Sequence, residues 1–419
     1  MKTLLIQQAT VVDSKSPHHL ETVDLLIEDG QITQIGELGS IAAEHTLALE
    51  NCHVSVGWFD PLVSIGSPGY EERETLENGI QTALKSGFTT IGLQPVSDPI
   101  IDNRAAIGHM VQATQNTPLE VLPLGSLSAG QQGDQLAALY EMHQAGAVGF
   151  TDVKKTVANP NLLKIALQYT QNFKGLIFSH PQDPHLSTNG VMHEGHTSTQ
   201  LGLVGIPSVA ESAQIARDIA LLEYAQGKLH IPFVSTAKGV ELIREAKKKG
   251  LHISCSVGLP HLWFTDEDLN NFDSNFKLYP PLRSKKDRNA LRQGLKEGVI
   301  DGVSAMHEPM NIENKAVEFE YAAPGSVGLE AFFGILLQIF PLQECIHFLT
   351  RGRAIFGLEI PSIKMGETAN LSLFNPESKW KLSTAELHSS SKNCAFIDQP
   401  MRGRVYGTFH RNTLTQNFE

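Results

Sequence analysis

At 419 residues the chain has room for one large core and a smaller accessory domain. Its 41% hydrophobic and 19% charged residues are the balance of an ordinary globular protein. A formal net charge of -12 argues against nucleic acid and anionic membrane surfaces as partners, since both demand clustered Lys and Arg.

The opening MKTLLIQQATVVD has too short an apolar run for a signal peptide, and no stretch approaches the roughly 20 apolar residues of a membrane span. The longest candidate, 329–340, contains Glu330 and Gln338 and reads as a buried helix. Cys52, Cys255, Cys345 and Cys394 are far apart, with no C-x-x-C pair. A reduced, cytoplasmic protein with buried thiols is expected. The Lys247–Lys249 run lies in a helical pattern and reads as a solvated helix face.

Residues 1–55 alternate apolar and polar in short runs, with Asp29-Gly30 between two of them, a hairpin signal. Similar runs return in 361–419, so both chain ends are expected to build one small β-sandwich. Across 56–360 short apolar runs alternate with amphipathic helical stretches, from FTTIGLQP and RAAIGHMVQATQ to IDGVSAMH and VGLEAFFGILLQIF. Repeated strand–helix units imply a parallel sheet with helical crossovers, and about eight of them fit a closed TIM-like (β/α)8 barrel. The competing open, doubly wound sheet would carry a Gly-rich turn after its first strand; here SIGSPGYEERETLENG follows instead. The expected fold is therefore α/β, an inserted barrel with a two-ended β domain. Barrel sites sit at the C-terminal ends of strands, here near Ser64, Gln94, Asp152, His180, Phe233, Val257 and Met306.

Several ordered segments resemble the dihydroorotase branch of the amidohydrolases. They include GWFDPLVSIGSPGYEERETLENGIQTALKSGFTTIG, AGAVGFTD, IPSVAES, PPLRSKKDRNAL and GETANLSLF. The resemblance spans nearly the whole chain. It implies ring opening or closure of a dihydropyrimidine in pyrimidine synthesis, with one or two zinc ions and an Asp that shuttles a proton.

The family's site residues are largely replaced. Its His-x-His pair falls on Leu62 and Ser64, its later His on Phe233, and its ligand and shuttle Asp on Met306. Its substrate contacts fall on Gly66, Val96, Tyr279 and Met310. Asp152 and His180 remain as remnants, hydrogen-bonded to each other or to nearby backbone. Catalytic zinc needs several N or O donors and an open position, which two residues do not supply. His230 and His307 stand three and one residues from lost positions, and strand alternation assigns both to the other face. A substrate carboxylate needs charge-assisted donors, and Val96 and Met310 offer none. Leu62, Phe233 and Met306 are instead expected to pack, at roughly 1.5–3 kcal/mol per buried side chain.

Three plainer readings accompany this. The stretch with His180, His185, His193 and His196 invites a relocated metal site, against a polar loop over the mouth. Cys255 invites a nucleophile, against a buried structural thiol. Glu71 and Glu72 read as charges favouring a helix N-terminus. The resemblance thus points to a catalytically inactive, dihydroorotase-like protein without a cofactor. Family behaviour implies that it would form a homo-oligomer and support aspartate carbamoyltransferase or an active dihydroorotase. The alternative is an active cyclic amidohydrolase of dihydroorotase, allantoinase or hydantoinase type, holding zinc in an altered site.

Overall fold

The structure is a computed structural model that describes residues 2–39, 41–269 and 271–417. The outermost residues of the expected β domain, 1 and 418–419, lie outside the described residues. Five strands open the chain: β1 (Thr3–Val11), β2 (Thr22–Glu28), β3 (Gln31–Gly36), β4 (His45–Ala48) and β5 (His53–Val56). Asp29 and Gly30 turn β2 into β3 with φ of +46° and +81°. That double left-handed step matches strand twist in a tight hairpin, and glycine takes it at no steric cost.

The middle supplies β6 (Trp58–Val63), β7 (Phe88–Leu93), β8 (Glu120–Gly125), β9 (Gly149–Phe150) and β10 (Ile177–Phe178). An outlying pair follows, β11 (Met192–His193) and β12 (Gly205–Ile206), and then β13 (Leu229–Ile231), β14 (Ile253–Gly258) and β15 (Gly302–Ser304). The chain ends in β16 (Leu371–Lys381), β17 (Pro400–His410) and β18 (Thr413–Gln416).

The two ends share one sheet, ordered β18-β17-β16-β5-β1-β2-β3, with β4 on β1. It carries its own core, including Ile6, Val54, Leu371 and Phe409. The second eight-stranded sheet is parallel and runs in sequence order from β6 to β15, leaving out β11 and β12. Its ends meet. The Ala305 amide donates to Asp60 Oδ2 at 2.7 Å, Ser304 Oγ to Leu62 O at 3.0 Å, and the Ser64 amide to His307 O at 3.0 Å. These bonds close the expected barrel.

Local sequence sets the crossover helices. Thr75, Asn103, Asn159, Thr236 and Ser284 each cap a helix start with a side-chain oxygen, worth about 1 kcal/mol apiece. Phe332–Ile339 is a buried helix, as its apolar run predicts. Trp58 joins barrel to end sheet: its ring packs against Phe88, Phe333 and Phe374, and its indole N–H donates to Ser55 Oγ. Among the described residues no helix is long and apolar enough to cross a membrane.

Candidate active site at the barrel mouth

The C-terminal strand ends converge on a buried apolar cluster. Leu62, Phe233 and Met306 meet there with Leu124, Leu176 and Phe178, and Ile355 and Phe356 pack against the same cluster. Leu62 is 1%, Phe233 5% and Met306 7% exposed, so these side chains fill the interior rather than line an open bowl. Gly258 makes room for one of them: a methyl group there would lie 2.0 Å from Met306 Sδ. Phe233, Met306 and Val153 hold φ of +53°, +54° and +59°. Left-handed backbone at a non-glycine residue costs about 1–3 kcal/mol and clusters at functional sites. The strand ends thus carry a strained backbone while presenting side chains without polar chemistry.

The polar residues at the mouth fare differently from one another. Asp152 is fully engaged away from the centre. Its Oδ1 accepts from the Leu127 and Ser128 amides at 3.0 and 2.9 Å, and its Oδ2 from Ser128 Oγ. Burial raises its carboxyl pKa, opposed by these hydrogen bonds. His180 is 2% exposed, and neither ring nitrogen has a partner. It stacks on Tyr279 with ring centroids 5.0 Å apart. Burial, with Lys154 nearby, pushes its pKa down to about 3, so the ring is neutral. Asp152 and His180 are not bonded to each other, and only Asp152 is held by nearby backbone. Ser64 Oγ accepts from Gln94 Nε2 at 3.1 Å.

His230 corrects the alternation argument. β13 ends at Ile231, and Phe233 lies beyond it in a left-handed turn, so strand parity does not relate the two residues. The His230 ring lies 4.8 Å from Phe178, inside the same cluster that holds Phe233. It is unavailable for another reason: its nitrogens engage Ser254 Oγ at 2.8 Å and Ser256 Oγ at 3.1 Å. His307 Nδ1 accepts from the Gly328 amide at 3.3 Å, and burial lowers its pKa to about 4.

The positions expected from the resemblance to contact substrate also lack cations. Gly66 has φ +88°, and a side chain there would meet Tyr70 at 3.3 Å. Met310 is buried, whereas Val96 and Tyr279 are half-buried. Arg73 passes close to Gly66, but its guanidinium lies over the Tyr70 ring and beside Glu72. Sequence reasoning missed the ion pair of Lys154 with Glu308, which spans the loops after β9 and β15. Lys154 Nζ also donates to Pro324 O at 3.0 Å. The available signal was position, since each residue follows a strand-end site residue by two.

The histidine-rich stretch does not assemble. His185 and His196 are exposed, and His193 faces Arg283 Nη1 at 3.3 Å. Among the described residues no three His, Cys, Asp or Glu side chains group as a metal would require. Zinc is bound by Cys, His and carboxylate groups, and here the strand ends present two hydrocarbons, a thioether, an engaged serine, an engaged aspartate, the free imidazole of His180 and the unpartnered Nε2 of His307. This donor set does not fit a catalytic zinc. Cys255 is fully buried and its thiol pKa is pushed up, which suits a structural thiol. Glu71 accepts from the Gly69 amide and Ser67 Oγ in the turn before the helix Leu76–Lys85, so it organises a loop rather than that helix's first turn.

The closed parallel barrel with a two-ended β sheet defines the class: it is the fold of the hydantoinase and dihydropyrimidinase structures. L-hydantoinase (dihydropyrimidinase) from Arthrobacter aurescens superposes with a TM-score of 0.86 at 21% identity, covering 100% of this chain and 97% of that one. Dihydropyrimidinase from Brevibacillus agri gives 0.81 at 19%, covering 99% and 96%. Sequence relatives narrow the class. A family model described as Dihydro-orotase-like matches residues 54–239. The dihydroorotase of Pelotomaculum thermopropionicum is 35% identical over 412 residues, covering 97% of this chain and 96% of its own. That of Ruminiclostridium cellulolyticum is 36% identical over 418 residues, covering 97% of each. The chain belongs to the dihydroorotase family.

Proposed function

We propose that this chain is a dihydroorotase-family protein of pyrimidine biosynthesis whose barrel mouth no longer opens a cyclic amide. Its role on this reading is to scaffold or regulate aspartate carbamoyltransferase or an active dihydroorotase, as a cytoplasmic homo-oligomer. One observation carries the reading: Leu62, Phe233 and Met306, from three different strand ends, pack into one buried cluster where donors would be needed. The engaged oxygens of Asp152 support it further. A single substitution could be compensated by a neighbour, but both ring nitrogens of His230 are committed to serine hydroxyls. The deciding assay follows dihydroorotate ring opening by the purified chain with zinc supplied. The expected rate equals that of heat-denatured protein, and clear turnover above that control overturns the proposal.

A second reading is an active cyclic amidohydrolase with an altered centre. Relatives named dihydroorotase across 97% of the chain favour it, as does the free imidazole of His180. Zinc bound stoichiometrically, and lost in a His180→Ala variant of unchanged melting temperature, would support that reading.

A further inference from the structure

Two loops on the rim of the barrel form a continuous face, 266–279 and 310–325. Lys315 Nζ donates to Ala323 O and Gly325 O, both at 3.0 Å, and reaches across to Ser274 O. Lys277 Nζ donates to Glu320 O at 2.7 Å, and the Gly325 amide to Lys277 O at 2.9 Å. These two lysines are the only Lys or Arg in either loop, with Lys315 5% and Lys277 8% exposed. All the cationic charge of this face is therefore turned inward onto carbonyls.

What remains outside is acidic and apolar. Glu267, Asp268, Asp273, Glu313, Glu318 and Glu320 are exposed, and none pairs with a cation within 4 Å among the described residues. Ile312 is 76% and Tyr321 79% exposed, with Val317 and Phe272 also out in solvent. A cavity of ≈ 480 Å³ opens beside Ile312, lined by Glu72, Asn275, Met310, Lys315, Lys392 and Asn393, and Lys392 Nζ too is turned onto carbonyls, of Leu387 and Ser389. Exposed aromatic and aliphatic anchors beside a pocket, inside a polar rim, are the anatomy of a protein-binding surface.

We infer that this face docks a protein partner through a basic patch, with Lys or Arg around an apolar side chain that packs on Ile312 and Tyr321. Charge complementarity selects the partner. Six carboxylates repel phosphate, which disfavours nucleic acid. They disfavour a second copy too, because two such faces would oppose like charges. The chain's lysine run is already spent, with Lys247, Lys248 and Lys249 paired to Asp301, Glu245 and Glu223. The inference deepens the scaffold reading by placing its contact surface, and rests on it only in supposing a protein partner.

Carbodiimide cross-linking of the tagged full chain in its own cells, read by mass spectrometry, joins carboxylates to lysines in contact with them. The expected product links Glu313, Glu318 or Glu320 to a lysine of a different polypeptide. The Glu318 link should fall about tenfold in a Glu313→Lys/Glu320→Lys variant, which leaves Glu318 in place, in an Ile312→Asp variant, and at raised salt. The substituted side chains are exposed, and an unchanged melting temperature verifies the fold. Links confined to this chain or its second copy, no links, or a yield in the variants equal to that of the unsubstituted chain overturn the inference. Dihydroorotate turnover of the same samples answers the separate question. Activity with the expected links leaves docking standing and removes the inactive reading; inactivity without links does the reverse.

Discussion

Two buried regions a few residues apart have taken opposite courses. Between β6, β13 and β15 the interior is filled by Leu62, Phe233 and Met306. At the neighbouring joint, from the end of β13 to the helix Ser208–Ala225, a charged network is kept entirely out of water. Glu211 accepts from the amides and hydroxyls of both Ser235 and Thr236. Arg283, 2% exposed, donates to Ser235 Oγ at 3.1 Å and Ile206 O at 2.8 Å. Burying an ion is expensive unless its partners replace water. The chain retains that arrangement where it fixes a strand to its helix, and places hydrocarbon at the strand ends of the barrel mouth.

Breaking the polar joint should have the largest effect. Glu211→Ala strips Ser235 and Thr236 of their acceptor and leaves Arg283 without its nearby buried carboxylate, a loss of about 4 kcal/mol. Urea unfolding at neutral pH reads it directly. A loss below about 1 kcal/mol would mean that water enters the joint, and the contrast between the regions would fail.

The plug comes next. Leu62→Ala removes buried methyls from a filled interior and should cost about 3 kcal/mol by transfer and cavity terms together. A much smaller cost would show the mouth to be loosely packed or hydrated, which would favour the catalytic reading. A Leu62→His variant sharpens the test, because an imidazole there must either bury without partners or recruit a metal.

At the boundary between the regions His230 supplies a pH-dependent effect. Burial holds its folded pKa at about 3, against about 6.5 unfolded. Below pH 6.5 the unfolded chain therefore binds a proton that the folded chain refuses. Stability contributed by the neutral ring falls as pH drops from 6.5 towards 3 and is flat above 6.5. At pH 5 the penalty is about 2 kcal/mol, from 1.4 kcal/mol per pKa unit. His230→Leu loses two hydroxyl contacts at pH 8, so the slope is the readout. The stability gap between wild type and variant should narrow by about 2 kcal/mol from pH 8 to pH 5. Asp60, raised to about 6 by burial, acts in the opposite sense and loses its contribution as pH rises through 6. It is common to both proteins and cancels in the difference. A parallel pair of stability curves would show that His230 titrates normally in the folded state.

The barrel and its two-ended sheet were legible because both rest on local periodicity: alternating runs at the ends, and apolar runs with helical stretches between. That Leu62 and Phe233 donate nothing was legible too, since side-chain identity alone says so. Commitments of side chains across the barrel were not. That both oxygens of Asp152 serve Ser128 depends on the loop after β8, and the sequence around Asp152 says nothing of it. Parity misjudged His230 because β13 stops after three residues and Phe233 sits in a left-handed turn, where alternation no longer governs direction. Lys154 and Glu308 are 154 residues apart, and no local pattern announces such a pair.

That ion pair gives the smallest expected effect and separates two ways of closing the mouth. Lys154 and Glu308 side chains are 22% and 14% exposed, so solvent screens their attraction. Lys154→Met should cost at most about 1 kcal/mol, including its bond to Pro324 O. Its local consequence should be larger than its global one. Hydrogen exchange should quicken across 308–325, whose tie to the loop after β9 is cut, while Leu62 and its neighbours on β6 keep their protection. If the plug closes the barrel, loosening the rim leaves the interior dry. If β6 amides exchange as fast as the loop, the ion pair was holding the mouth shut. Leu62, Phe233 and Met306 would then be the floor of a site that opens.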